Sequence, residues 1–302
     1  MRVLVTGAGG YLGRAVVAAL AAARHEPIAM VGARGGEVPH AREVRTTDLL
    51  DPEGLRRAVS GVEVVCHLAG LGRARESVRD PLPFFRVNTA GTVALLEAMA
   101  AEGVSRIVFS STGAIYGSPE SQPMSEDLAD SPPHPYAASK LAAELAIEAQ
   151  ARSGNLGAVI VRLLNVAGGA DPDPTRLIPR VIAAAAGESV LHINGDGTAV
   201  RDYLHVDDAA AAFVSCIEQT PAPGAHTRYN IGSGCGTSIL DVVAAVERVT
   251  GRTVASVHGP AAPEPAALIS NPAKAQTELG WSPKHSGIDE IAAATWQAVA
   301  RS

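Results

Sequence analysis

The chain has 302 residues, 47% hydrophobic and 19% charged, with a formal net charge of -6. That length suits one large α/β domain, or a larger domain with a smaller companion, and it can bury a sizeable core. An acidic balance without any basic cluster excludes nucleic acid and anionic membrane surfaces as expected partners, and no uncharged run reaches transmembrane length. The three cysteines, Cys66, Cys216 and Cys235, are scattered without metal spacing. They point to no disulfide framework, and so to a reducing, cytoplasmic setting. The opening run "MRVLVTGAGGYLGRAVVAAL" is broken by glycines and Arg14 and does not read as a signal peptide.

In chain order, short β-branched runs alternate with alanine- and leucine-rich runs. "RVLVTG" reads as a strand and "GRAVVAALAAA" as a helix. "EPIAMVG" is a strand, "DPEGLRRAVSG" a helix and "VEVVCHLAG" a strand. "NTAGTVALLEAMAAEG" is a helix ended by Gly103, and "SRIVFSS" is a strand. "YAASKLAAELAIEAQARSG" is a long helix and "GAVIVRLLN" a strand. Strand–helix alternation with apolar strands predicts a Rossmann-type, doubly wound parallel sheet covered on both faces, with ligands at the C-terminal ends of its strands. After about Asn165 the rhythm breaks at "AGGADPDPTRLIP". We expect a dinucleotide-binding domain over 1–165, rejoined by 200–220 as a strand and a helix. A smaller, discontinuous C-terminal substrate lobe is expected over 166–199 and 221–302. Two late helices, "SILDVVAAVERVTG" and "GIDEIAAATWQAVA", have apolar faces suited either to core packing or to a dimer contact.

"VTGAGGYLG" lies between the first strand and the first helix. Gly7, Gly10 and Gly13 permit a tight turn and close backbone approach to a pyrophosphate, and the helix N-terminus that follows supplies N–H donors. Tyr11 and Leu12 belong to the same loop. An acid that would bind a ribose 2′-hydroxyl is expected at the end of the second strand, but "AMVGARGGEV" holds Arg34 there, which either pairs with the 2′-phosphate of NADP or is a solvated loop arginine. Asp48 and Leu49 in "TTDLL" are candidates for the adenine end, Asp48 either bonding the adenine or capping the helix at "DPEG".

Tyr136 and Lys140 in "YAASK" stand one helical turn apart on one face. An ammonium beside a phenol favours the phenolate, which can take a proton from an alcohol as hydride leaves the same carbon. Ser110, Ser111 and Thr112 in "FSSTGAIYG" end a strand where ligands bind. His205 in "YLHVDD" and His67 in "HLAG" read as supports of the fold, with no metal-ligand spacing around them.

With "TGAGGYLG", "HLAG", "FSSTGAIYG", "YAASK", "RLLNVAGG", "GDGTAVRDYLHVDD" and "YNIGSG" in this order over nearly the whole length, the chain resembles the extended short-chain dehydrogenase/reductase family, in the branch of the UDP-hexose 4-epimerases. The resemblance implies Tyr136 as acid/base, Lys140 as its partner and Thr112 as the group bonding the reacting hydroxyl. It implies Leu68, Ala69, Gly70 and Asn88 near the cofactor, where Ser110 at its strand end is also expected. Asn165 and Arg201 are implied at a sugar diphosphate, although Arg201 also has Asp202 and Asp207 within reach of an ion pair. Three departures stand out. The second-strand acid is missing, Gly72 and Arg73 stand where the family has a lysine after "AGL", and "HGPAAPEPAALIS" lacks an arginine that often binds the diphosphate.

The reaction this implies is 4-epimerisation of a UDP-hexose by transient C4 oxidation and hydride return, with NAD retained and the protein a homodimer. An NADPH-dependent ketoreductase on a nucleotide-linked keto-sugar is the alternative that Arg34 favours. A non-catalytic cofactor sensor has no need of the tyrosine–lysine pair. A 4,6-dehydratase is disfavoured because Gly113 and Ala114, not an acid pair, follow Thr112.

Overall fold

The computed structural model describes residues 1–33, 35–262 and 264–300. Seven parallel strands form the main sheet: β1 (Arg2–Thr6), β2 (Glu26–Val31), β3 (Glu43–Thr46), β4 (Val64–His67), β5 (Arg106–Thr112), β6 (Gly157–Leu163) and, much later in the chain, β10 (His226–Ile231). Their spatial order is β10-β6-β5-β4-β1-β2-β3. The order reverses between β1 and β4, which places a ligand crevice at the C-terminal ends of those two strands. The period of two is explicit in β1. Val3 and Val5 enter the apolar cluster on one face, with Val16, Leu20 and Phe213, while Leu4 enters the other, with Leu55, Leu95, Met99 and Ile147.

The first face is covered by α1 (Tyr11–Ala22), and the second by α2 (Pro52–Val59), α5 (Gly91–Ala101) and α6 (Pro135–Arg152). Two short helices, α3 (Ala74–Arg79) and α4 (Leu82–Phe84), and a π-helical stretch over Phe85–Ala90 lead into α5. Helix α6 starts where its sequence dictates. Pro135 sits in the first turn, and His134 Nδ1 accepts the Ala137 N–H at 3.2 Å.

Beyond β6 lie β7 (Asn165–Ala167), α7 (Leu177–Ala185), β8 (Leu191–Asn194), β9 (Val200–His205) and α8 (Val206–Glu218). β11 (Gly236–Ser238), α9 (Ile239–Thr250), β12 (Ser256–Gly259), β13 (Ala267–Leu268), α10 (Ala273–Leu279) and α11 (Ile288–Val299) follow β10. The return to the large sheet differs from expectation. The strand at 200–205 pairs with β7, β11 and β13 in a separate sheet. Helix α8 does pack on α1, and the strand that then joins the large sheet is β10, from a stretch expected in the smaller lobe. "HTRYNI" has little of the apolar continuity of the other strands because it is the edge strand, bordered only by β6.

The late helices spend their apolar faces internally. Val242 and Val246 of α9 and Ile291 and Ala292 of α11 join Ile178, Val181 and Ile182 of α7 in a third core. Helix α9 is bounded by a Ser238–Asp241 capping box and by Gly251 in the left-handed region. Among the described residues no helix is long and apolar enough to cross a membrane, and no group of three or more His, Cys, Asp or Glu could hold a metal ion.

Candidate active site

The glycine loop shows why it must be glycine. Gly7 lies at φ +69°, and a Cβ there would meet the Ala69 Cα and N at 2.9 Å. A Cβ on Gly13 would stand 2.2 Å from the Gly7 carbonyl oxygen. The Gly10 N–H closes the turn onto that same oxygen at 2.9 Å. Helix α1 opens at Tyr11 with Gly10 as its cap residue and no side chain bonding its first amides, so those N–H groups are left for an anion. The loop forms one wall of a cleft of about 490 Å³, whose other walls include Val31, Gly32 and Asp48. Glycines held this close to neighbouring backbone, exposed helix-start amides and a cleft at the sheet's switch point fit a dinucleotide.

Not every residue expected at this cleft points into it. Leu12 and Leu49 pack toward the apolar layers on either side of the sheet. Asp48 does not cap α2, whose cap residue is Asp51. Its Oδ1 accepts the Leu50 N–H at 2.8 Å, and the residue lines the cleft. The Tyr11 hydroxyl donates to the Gly168 carbonyl across the cleft. Arg34 lies outside the described residues.

The loop after β4 is held by a buried polar chain. The Thr92 hydroxyl donates to the Asn88 carbonyl at 2.6 Å, so its oxygen accepts from His67 Nε2 at 3.0 Å. His67 Nδ1 then accepts from the Thr6 hydroxyl at 2.7 Å, and the Thr6 oxygen accepts the Leu68 and Ala69 N–H groups at 3.2 and 3.1 Å. One neutral tautomer satisfies every bond. Burial first, and the nearby Lys140 charge second, push the His67 pKa down to about 3, which keeps that tautomer uncharged. Asn88 completes the clamp. Its Oδ1 accepts from Leu71 N at 2.8 Å, and its Nδ2 donates to Leu71 O and Ser139 Oγ, both at 3.0 Å. Asn88 therefore shapes the loop, and Gly70 leaves room for it, since a Cβ there would meet Asn88 Oδ1 at 2.7 Å. Thr6, Thr92 and Ser139 were not legible as site residues. The adjacency of Thr6 to the glycine loop was the only local signal.

The reacting groups meet at the end of β5. Tyr136 is half-buried, with its ring 5.8 Å from His134, stacked, and 6.4 Å from Phe84, edge-on. Burial raises the phenol's pKa, while the Thr112 hydroxyl and then the Arg176 guanidinium lower it. Lys140 was expected to do that lowering. Its Nζ instead donates to the Ser110 carbonyl at 2.9 Å and sits 4.8 Å over the Phe109 ring. Burial brings its pKa down to about 8 against the pull of Glu144. Ser110 thus contributes a backbone oxygen that fixes Lys140. The Thr112 oxygen accepts the Ala114 N–H at 3.1 Å and caps the turn over Gly113–Tyr116.

Across the cleft, Asn165 is exposed and donates to the Asp202 carbonyl at 3.0 Å. Arg201 pairs with neither Asp202 nor Asp207. Its Nη2 meets Glu264 at 2.7 Å, and its Nη1 donates to Pro265 O at 2.9 Å and Val200 O at 2.7 Å. Asp202 is turned inward, accepting from Ser233, Gly234 and Ser270. Arg73 bridges the two sides, 2.8 Å from Glu76 and 3.6 Å from Asp173. Arg176 pairs with Asp171 and Asp173 beside the Tyr11 ring, 5.8 Å from its centroid.

The family described as NAD dependent epimerase/dehydratase matches residues 3–232. A UDP-glucose 4-epimerase of Streptomyces lividans is 36% identical over 315 residues, covering 97% of this chain and 94% of that protein. The crystal structure of UDP-glucose 4-epimerase from Brucella ovis in complex with NAD superposes with a TM-score of 0.92 at 33% identity, covering 98% of this chain and 97% of the other. The Bifidobacterium longum enzyme in complex with NAD+ and UDP gives 0.91 at 28% identity, with 100% and 98% covered. On motif order, fold and full-length similarity, the chain belongs to the NAD dependent epimerase/dehydratase family.

Proposed function

We propose that the protein is an NAD-dependent UDP-hexose 4-epimerase. The observation that carries this reading is the meeting of Tyr136, Thr112 and Lys140 at the end of β5, beside a glycine loop built for a dinucleotide. Its full-length relatives named UDP-glucose 4-epimerase support it. Bound NAD would supply the chemistry of taking and returning a hydride at C4. Gly7, Gly10, Gly13, Tyr11, Asp48 and the 68–70 loop would hold that cofactor. Tyr136 removes the proton from the C4 hydroxyl and gives it back. Thr112 bonds the same oxygen and aligns it, and Lys140, fixed by the Ser110 carbonyl at the same strand end, would hold the nicotinamide ribose. Asn165 and Arg201 would face the sugar diphosphate, Arg201 by exchanging Glu264 for phosphate oxygens.

In this reading the large sheet and its helices form the cofactor lobe, and the smaller sheets with α7, α9 and α11 form the substrate lobe. The enzyme works in the cytoplasm as a homodimer. Exposed Val93 of α5 and Leu145 of α6, on adjacent helices, supply apolar surface for a partner copy.

The test is to denature the purified protein and identify the nucleotide released. One equivalent of NAD is the expected result. An empty protein that binds and oxidises added NADPH only with a keto-sugar would replace this reading with the ketoreductase.

A further inference from the structure

Behind the reacting groups lies a buried ion network that the mechanism above does not use. Glu144 follows Lys140 by one turn and Tyr136 by two, so it continues their face of α6. Its side chain is fully buried. Oε1 accepts from the Ser111 hydroxyl of β5. Both carboxylate oxygens accept from Arg162 of β6, at 3.0 and 2.7 Å in a fork-to-fork pair. Arg162, itself buried, reaches Asp130 at 2.8 Å, in the segment that leads into Tyr136, and lies 4.6 Å over the Tyr116 ring. Arg228 of β10 and Glu148 extend the network.

Ser111 sits between Ser110, whose carbonyl holds Lys140, and Thr112, which faces Tyr136. A slip of α6 along β5 would therefore break the Ser111–Glu144 bond and misplace both catalytic contacts together. A buried ion pair of this kind is weak evidence for stability, since desolvation offsets much of the attraction. Its geometry is better suited to fixing a position.

We propose that Glu144 is a positioning residue for the reaction, setting the register of α6 on β5 through Ser111 and Arg162 so that Tyr136 meets Thr112 and Lys140 meets the Ser110 carbonyl. This rests on the catalytic reading of Tyr136. Glu144 has a second effect through charge. The groups around the Lys140 ammonium are Glu144 on its own helix, neutral His67 from β4, the Asn88 amide, and the Phe109 ring and Ser110 carbonyl of β5. Glu144 is the one carboxylate among them, and its charge raises the Lys140 pKa against the effect of burial.

The test is Glu144→Gln, with kcat, KM, retained NAD, Tm and the pH dependence of kcat measured beside Tyr136→Phe. A misplacement of the reacting atoms near 1 Å costs about a hundredfold in rate. We expect kcat to fall about ten- to a hundredfold with KM and NAD content unchanged. The alkaline limb of kcat, where Lys140 loses its proton, should move to lower pH. Wild-type kcat with an unmoved limb overturns the proposal. So does a loss that tracks Tm, KM and NAD content together while the limb stays still, because structural support alone gives that pattern. If Glu144→Gln does not fold, Ser111→Ala removes one bond and leaves the ion pair. It should lower kcat about fivefold with the limb kept, and lower Tm by no more than about 2–4 °C, the worth of roughly one hydrogen bond; wild-type kcat there overturns the proposal. If Tyr136→Phe turns over normally, the catalytic reading itself falls. If it is inactive while the Glu144 and Ser111 variants match wild type, only the positioning role falls.

Discussion

Tyr136→Phe is expected to lower kcat by about 10²- to 10⁴-fold, the usual worth of a positioned acid–base group, while NAD stays bound. Phenylalanine keeps the ring and its contacts with His134 and Phe84, so α6 and the cleft wall are unchanged. Only the hydroxyl is lost, together with its interaction with Thr112. No other described side chain stands ready to replace it. Lys140 is turned to the Ser110 carbonyl, and His67 is locked as a neutral ring between Thr6 and Thr92. The phenol's own balance sharpens the expectation. Burial favours its protonated form, and Thr112 and Arg176 oppose that. Burial prevails, so the phenol's pKa stands above its ordinary value and its proton is held on the ring oxygen. Steady-state kinetics on UDP-galactose, with nucleotide content measured on the same preparation, checks this. Residual kcat within tenfold of wild type would remove Tyr136 from the chemistry.

Gly13→Ala is expected to give a folded protein that retains no NAD. The new methyl group would lie 2.2 Å from the Gly7 carbonyl oxygen and 2.8 Å from the Ala8 Cα. Both are backbone atoms, so no side chain can swing aside. The start of α1 must lift from the loop, and the amides aimed at the pyrophosphate lose their aim. Overpacking of this kind costs about 1–3 kcal/mol, a loss that a domain of this size survives and that appears as a lower Tm. Gly9→Ala is the control. A Cβ there meets only the Val31 Cγ1 at 3.6 Å, an ordinary contact, and NAD should be retained. Nucleotide analysis after denaturation, with thermal unfolding of both variants, separates the two. Equal NAD in both would mean that the loop's closeness is not what binds the cofactor.

Much of the fold was readable because its cause is local. Apolar strands such as "RVLVT" and "GAVIVRL" and the glycine turn after β1 carry their own signals, and the parallel sheet follows from their alternation with helices. What escaped reading depends on distant partners. β10 was missed because an edge strand with one neighbour needs no continuous apolar run. β9 looks like a strand of the large sheet, but its pairing is decided by β7, β11 and β13. At the site, Tyr136 and Lys140 could be named from their spacing and Ser110, Ser111 and Thr112 together from a strand end, while Thr112 was singled out only by the family resemblance. The partner of Arg201 could not, since Glu264 is 63 residues away. Nor could the Ser111–Glu144–Arg162 cluster. A glutamate in an alanine-rich helix reads as a solvated residue until β5 and β6 are seen to bury it. Lys140 shows the same limit: its helical spacing from Tyr136 suggested a direct effect on the phenol, whereas β5 offers the Ser110 carbonyl to its ammonium.

In a 4-epimerase, oxidation and reduction occur at one carbon of one bound sugar. The most direct measurement uses UDP-galactose carrying deuterium at C4, without added cofactor, and analyses the UDP-glucose formed by mass spectrometry and NMR. Conversion with the deuterium kept at C4 is the expected result. Conversion with the label lost from C4, or no conversion until a nicotinamide cofactor is supplied in stoichiometric amount, would contradict it.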